Sequence, residues 1–206
     1  KERAGVKDSM HTRPYLRDPA EIYRRSFALI AAEADLARFP SELRPLALRL
    51  AHAAGDTAIL DDLVWSAGAV AAGKRALAAG APILVDSRMV AAGIIARRLP
   101  AASDILCTLE DPRTADIAAR RHTTRSAAAA ELWRPHLAGA VVAIGNAPTA
   151  LFHLLEMVAG GAAKPALVLG FPVGFVGAAE AKAALADDGD GLDFVALRGR
   201  RGGSAL

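Results

Sequence analysis

Two apolar runs in the second half of the chain set its pattern: Val141-Val-Ala-Ile-Gly-Asn-Ala-Pro-Thr-Ala-Leu-Phe152 and Ala166-Leu-Val-Leu-Gly-Phe-Pro-Val-Gly-Phe-Val176. Each starts as an uninterrupted aliphatic stretch, the mark of a parallel strand buried on both faces. Each then breaks at glycine and proline. In sheets of this kind ligands bind outside the carboxyl ends of the strands. Pro148 suits the first turn of a helix, where its missing N–H would be unpaired anyway. Asn146 and its neighbours are therefore expected at a helix N-terminus, whose free N–H groups favour an anion. Two ordinary strand-to-loop turns explain the same pattern.

The rest of the chain alternates in period. Asp18-Pro19 supplies an N-cap and first-turn proline for a helix bearing Ile22, Phe27, Leu29, Ile30 and Leu36, running to about Arg38. Ser41 with Glu42 is expected to cap a second helix, with Pro45 in its first turn and its end near Gly55. A helix over 67–79 stopped by Gly80, a strand over 83–86, a helix over 89–93 and a strand over 104–108 follow. Asp111-Pro112 opens another helix, a second covers 126–137, and strands at 141–145, 166–170 and 193–197 are separated by helices near 148–158 and 178–186. This predicts an α/β fold: three layers, α/β/α, with a mostly parallel sheet of about five strands. Residues 1–9, cation-rich and without apolar period, read as an expression remnant or extended start, and 10–206 as a single domain. The tail Arg198-Gly-Arg-Arg-Gly-Gly-Ser204 stops after a strand as though a closing helix were missing.

Composition narrows the function. A chain of 206 residues with 53% apolar and 23% charged residues has the balance of one water-soluble core, and no apolar stretch reaches the roughly 18–20 residues of a membrane span. The single Cys107, most simply a small buried residue, excludes an internal disulfide, so a cytoplasmic location is expected. Nearly all the cations are arginine, whose planar fork suits carboxylate or phosphate, while a net charge of +3 and 5% aromatics do not make a nucleic-acid surface. The histidines at 11, 52, 122, 136 and 153 form no metal motif, and no P-loop, dinucleotide fingerprint or nucleophile elbow is present.

Spacing then selects candidate residues. Arg49 and His52 lie three apart on the second helix and share a face. A cation beside an imidazole disfavours its charged form and a bound carboxylate favours it, which would couple proton transfer to ligand binding. The alternative is a histidine satisfied in the core or at the surface. Tyr23 and Ser26 offer two hydroxyls on one face of the first helix, or simply a solvated surface. His122-Thr-Thr-Arg-Ser126 precedes an alanine-rich helix, where Thr124 and Arg125 form a carboxylate cradle or, more plainly, Thr124 is an N-cap. Asp86 ends a strand at the crevice edge, followed by Met89; it either meets the ligand or caps the next helix.

Six ordered segments carry more than these spacings: Asp18-Pro-Ala-Glu-Ile-Tyr-Arg-Arg-Ser-Phe27, Arg49-Leu-Ala-His-Ala-Ala-Gly55, Ala81-Pro-Ile-Leu-Val-Asp-Ser-Arg-Met-Val90, Thr124-Arg-Ser-Ala-Ala-Ala129, Ala143-Ile-Gly-Asn-Ala-Pro-Thr-Ala-Leu151 and Gly170-Phe-Pro-Val-Gly-Phe-Val-Gly-Ala-Ala-Glu180. Together they resemble the precorrin-8X methylmutases, from Tyr15 to Ala205. The resemblance implies a cytoplasmic, homodimeric isomerase that moves a methyl group from C11 to C12 of a polycarboxylated tetrapyrrole, giving hydrogenobyrinic acid, with no cofactor and no metal. It implies that His52 exchanges a proton with the macrocycle. Tyr23, Ser26 and Arg49 would border the substrate, and Arg125 would clamp a peripheral carboxylate. The segments look closer to enzymes of the metal-free substrate than to those of the cobalt-containing one. Two departures stand out: Ala54, where many relatives have cysteine, and Thr123, in place of a common asparagine. A non-catalytic tetrapyrrole carrier, and RNA binding through Arg198–Gly203, are the readings from other classes.

Overall fold

The computed structural model describes residues 13–188 and 191–206. Residues 1–9, read as a remnant or extended start, lie outside the described residues, as do Met10 and His11. Helix α1 spans Pro19–Glu33, its N-cap Asp18 accepting from the amide of Ala20. It ends short of the expected Arg38 because Ala34 turns extended and Asp35 caps a separate 3-10 turn, Leu36–Arg38. Helix α2 spans Arg44–Ala54 and closes at the left-handed Gly55. Ser41 does not cap it: its hydroxyl donates to Glu42, and α2 has no side-chain cap.

A 3-10 helix, Thr57–Asp62, leads into strand β1 (Leu63–Trp65), and then come helix α3 (Ala69–Ala78), strand β2 (Ile83–Val85), helix α4 (Arg88–Gly93) and strand β3 (Ile105–Leu106). Helix α5 (Pro112–Arg121) and α6 (Arg125–Glu131) follow. The helix expected to reach Leu137 stops at Glu131. A 3-10 turn over Arg134–His136 takes over, since Pro135 lacks the N–H that another α-helical turn needs. Strand β4 (Val141–Ile144), helix α7 (Pro148–Ala159), strand β5 (Leu167–Gly170), helix α8 (Ala178–Asp188) and strand β6 (Phe194–Leu197) complete the chain order.

The sheet order is β1-β6-β5-β4-β2-β3. The five expected strands pair in parallel, and β1 adds an antiparallel edge through Leu63 opposite Leu197. Along each central strand the side chains alternate between two cores. Ile83, Val85, Val141, Ala143, Leu167, Val195 and Leu197 pack on the layer that holds Leu43, the residue before α2, and Ala47 and Leu50 within it. Leu84, Val142, Ile144, Val168 and Ala196 pack on the layer that holds Leu151, Leu154 and Met157 of α7 and Leu185 of α8. Burial on both faces is why these strands read as unbroken aliphatic runs. Helix α1 lies outermost, packed on α2, with Ile30 its one buried residue.

From β2 the chain goes to β3 on one side, then returns to lay down β4, β5 and β6 on the other. The switch point of this doubly wound sheet therefore falls between β2 and β4. No helix among the described residues is long and apolar enough to cross a membrane.

Candidate functional site

The switch point is occupied by the protein itself. Asp86, directly after β2, is 2% exposed. One carboxylate oxygen accepts from the amide of Gly145 at 3.0 Å, the other from Asn146 at 2.9 Å and Ala147 at 2.6 Å. Burial pushes its carboxyl above the usual range, against the pull of these three amides. Asp86 thus does not cap the next helix: its oxygens accept from the loop after β4, and the cap of α4 is Ser87, whose hydroxyl accepts from Val90.

The tail fills what remains. A Cβ on Gly145 would stand 2.8 Å from Ser204 Cα, so only glycine lets the tail approach. Gly203 donates its amide to Phe171 O at 2.8 Å. Val90, Ile94, Gly145, Phe171, Ser204 and Leu206 leave about 210 Å³ between them, below the roughly 300 Å³ at which ligand pockets begin.

The tail is anchored from two sides. Arg201 donates to Asp56 at 2.9 Å, to Asp62 at 2.7 Å and to the carbonyl of Ala58 at 3.0 Å. Its own carbonyl accepts from Lys182 Nζ at 2.5 Å. Lys182 is wholly buried in α8, and burial pulls its pKa down to about 8.

The helix-borne candidates come together elsewhere, on α1 and α2. His52 Nδ1 lies 2.7 Å from Ser26 Oγ, and a hydroxyl can serve either tautomer as donor or acceptor. The Tyr23 ring lies 5.3 Å from the imidazole, centroid to centroid. Phe27 stands edge-on at the same distance, 76° between planes. The Arg49 guanidinium is 5.9 Å from the Phe27 centroid. Spacing of three and four residues on each helix produces this face, and among the described residues no hydrogen bond reaches Nε2. Phe27, named from the sequence only as an apolar position of the first helix, belongs to this group. Its place four residues after Tyr23 was the available signal.

The remaining candidates belong to the other layer. Thr124 caps α6 by accepting from Ala127, and its hydroxyl donates to Thr149 Oγ1 at 2.8 Å, tying the N-termini of α6 and α7. Arg125 donates to the carbonyl of Leu109 at 3.2 Å. Asn146 is exposed, and Met89 is 63% exposed on α4. No hydrogen bond or ring contact among the described residues joins these side chains to the His52 group.

An open cleft of about 440 Å³ lies at the C-terminal end of α2, lined by none of Tyr23, Ser26, Phe27, Arg49 or His52. Ala53, Ala54 and Ile59 form one wall, Val173 to Phe175 the other, and the tail residues Arg200 to Gly202 run along it.

Fold and site define an α/β domain with an imidazole, hydroxyl and arginine cluster on two packed helices and an open cleft at the end of one of them, the equipment of an enzyme rather than of a nucleotide-binding module. The model of the precorrin-8X methylmutase family matches residues 21–206. The chain is 59% identical over 192 residues to a precorrin-8X methylmutase of Pseudomonas aeruginosa, covering 93% of this chain and 92% of that one. Identity to a cobalt-precorrin-8 methylmutase of Priestia megaterium is 33%, over 94% and 86%. Among solved structures, the precorrin-8X methylmutase of Thermus thermophilus superposes with a TM-score of 0.80 at 39% identity, over 90% and 89% of the two chains. The chain belongs to the precorrin-8X methylmutase family, isomerases of cobalamin synthesis.

Proposed function

We propose that this chain rearranges precorrin-8X to hydrogenobyrinic acid, moving a methyl group from C11 to C12, with His52 as the group that gives and retakes the proton. The observation that carries the reading is the 2.7 Å contact between His52 Nδ1 and Ser26 Oγ, with the rings of Tyr23 and Phe27 against the imidazole. Held at Nδ1 by a hydroxyl that suits both protonation states, the imidazole presents Nε2 to a ring nitrogen of the macrocycle. Protonation there draws electron density from the conjugated system. The C11–methyl bond breaks as the C12–methyl bond forms, and the proton returns to His52. No atom is gained or lost, so positioning and one proton source are sufficient.

Tyr23 and Arg49 border the ring and its carboxylates in this reading, and Arg125, with Thr124, Asn146 and Met89, serves the macrocycle's periphery. The identity of 59% to a precorrin-8X enzyme against 33% to a cobalt-precorrin-8 enzyme favours the metal-free substrate. A homodimer is supported by the apolar side chains that α1 and its approach leave open: Tyr15, Leu16, Ile22 and Leu29.

The test is His52→Gln, assayed with precorrin-8X by the visible absorbance of the product. Turnover is expected to fall by about 10²–10⁴, the usual worth of general acid–base catalysis, while product binding persists. Turnover at the wild-type rate would refute the role of His52. Conversion of only the cobalt-containing substrate by the wild type would reverse the choice of substrate, and stoichiometric product binding without any turnover would make the chain a carrier.

A further inference from the structure

Three arginines stand in the tail, and two of them are consumed by the fold. Arg198 pairs with Asp187 at 2.8 Å, and Arg201 with Asp56 and Asp62. Arg200 has no acidic partner among the described residues. Its guanidinium lies over the ring of Phe175, 5.1 Å from the centroid, and both line the cleft that Ala53 and Ala54 of α2 help to wall. Phe175 is 83% exposed and the next residue, Val176, 88%, so the chain holds an aromatic ring and an aliphatic side chain in water where nothing in the fold uses them.

The shelf that carries the pair is fixed. Gly174 donates its amide to Arg200 O at 3.3 Å, and Gly203 to Phe171 O at 2.8 Å, so loop and tail run side by side as one ribbon. Gly202 permits their approach: a Cβ there would fall 2.4 Å from Phe171 O and 2.5 Å from Pro172 O. Lys182 holds the ribbon from behind through Arg201 O. The acid that shares the cleft, Asp56, is already paired with Arg201 and does not compete for Arg200.

From this arrangement we infer that Phe175 and Arg200 form a binding subsite for the substrate, the phenyl ring taking part of the macrocycle's face and the guanidinium one peripheral carboxylate. The inference rests on the tetrapyrrole reading above and adds two residues to it. A guanidinium stacked on a ring keeps its plane and its N–H edge available, so it can meet a carboxylate with two parallel hydrogen bonds while the ring meets an apolar face. Because loop and tail are already ordered, little conformational freedom is lost on binding.

The experiment compares wild type, Arg200→Gln, Arg200→Lys and Phe175→Ala in titrations with hydrogenobyrinic acid and with its fully amidated form, alongside sedimentation of each protein. Arg200→Gln is expected to weaken binding of the acid about tenfold and leave the amidated ligand unchanged, with Arg200→Lys between the two. Phe175→Ala is expected to weaken both ligands. Wild-type affinities in Arg200→Gln and Phe175→Ala would overturn the subsite and leave the proposed function standing. Weakened binding that appears only together with a smaller sedimenting species would also overturn it, assigning the patch to a contact between copies. Failure of the wild type to bind either ligand would remove the functional reading and the subsite with it.

Discussion

Replacing Lys182 by methionine separates two opposed contributions that nearly cancel at neutral pH. Lys182 is 0% exposed, its ammonium facing Arg201 O at 2.5 Å. Two other charged groups bear on it: Asp62 favours its charged form from a distance, while the Arg201 side chain is itself engaged with Asp56 and Asp62. Burial lowers its pKa from 10.5 to about 8, a differential of about 3 kcal/mol at 1.36 kcal/mol per unit. Against that stands a hydrogen bond from a charged donor, worth about 1.5–3 kcal/mol. At pH 7 the Lys182→Met protein should therefore match the wild type to within about 1 kcal/mol, since the variant loses both terms.

The pH dependence distinguishes this account from simple tolerance. The unfolded chain holds the Lys182 proton up to about 10.5 and the folded chain only up to about 8. Between those values the unfolded state binds more protons, so stability rises with pH. The burial penalty is fully present below pH 8 and gone above 10.5. Urea unfolding of both proteins at pH 7 and pH 10, followed by the fluorescence of the buried Trp133, isolates the effect, because groups common to the two proteins cancel in the difference. Wild type should gain about 2–3 kcal/mol over Lys182→Met between those pH values. A difference that stays level from pH 7 to 10 would show that Lys182 does not keep a depressed pKa in the fold, and the account of the tail's anchor would fail.

Two further substitutions probe the plugged switch point. Asp86→Asn sets an amide N–H₂ against the amide of Gly145 and leaves a buried donor unpaired, so a loss of about 2 kcal/mol and a fall in melting temperature of roughly 4–8 °C are expected; an unchanged melting temperature would mean the three amides do not depend on the carboxylate. Gly202→Ala forces a methyl group onto the carbonyls of Phe171 and Pro172, and titration should show affinity for hydrogenobyrinic acid reduced by about tenfold or more. The control is Gly93→Ala, whose nearest atom is Ser204 O at 3.7 Å, and equal binding by the two variants would separate the ribbon from the cleft.

What could be read from the sequence follows from which forces act locally. The five parallel strands are visible because each is apolar on both faces, and helix starts at Asp18-Pro19 and Asp111-Pro112 are visible because caps act within three residues. Strand β1 is not. Three residues, Leu63-Val-Trp65, between a 3-10 helix and a turn carry no period of their own, and their pairing with β6 is set by contacts more than a hundred residues away. The face with Tyr23, Ser26, Arg49 and His52 was legible for the same reason as the caps, since helical spacing fixes it. The direction of Asp86 was not, because an aspartate at a strand end looks the same whether it points outward or back toward the next loop. Lys182 left a faint trace as the lone cation in an alanine run, which is the composition of a helix buried against a sheet.

The displacement of the site has one physical cause. In a doubly wound sheet the switch point between β2 and β4 is the natural crevice, since the loops there diverge and leave backbone N–H groups free. Here those N–H groups, of Gly145, Asn146 and Ala147, are answered by Asp86, and the space above them is taken by Ser204 and Leu206. An anion arriving at that point would find its donors occupied and its room reduced to about 210 Å³. The same tail that closes the crevice opens another: pinned by Arg201 to the residues that follow α2 and by Lys182 to α8, it forms with the loop after β5 the far wall of the cleft that Ala53, Ala54 and Ile59 bound on the other side. The His52 imidazole then stands on a helix, supported by a second helix, while the sheet edge supplies shape. The proposed rearrangement of a wide, flat, polycarboxylated ring suits that division, because it needs a broad surface and a single proton source rather than the concentrated charge that a nucleotide's phosphates require.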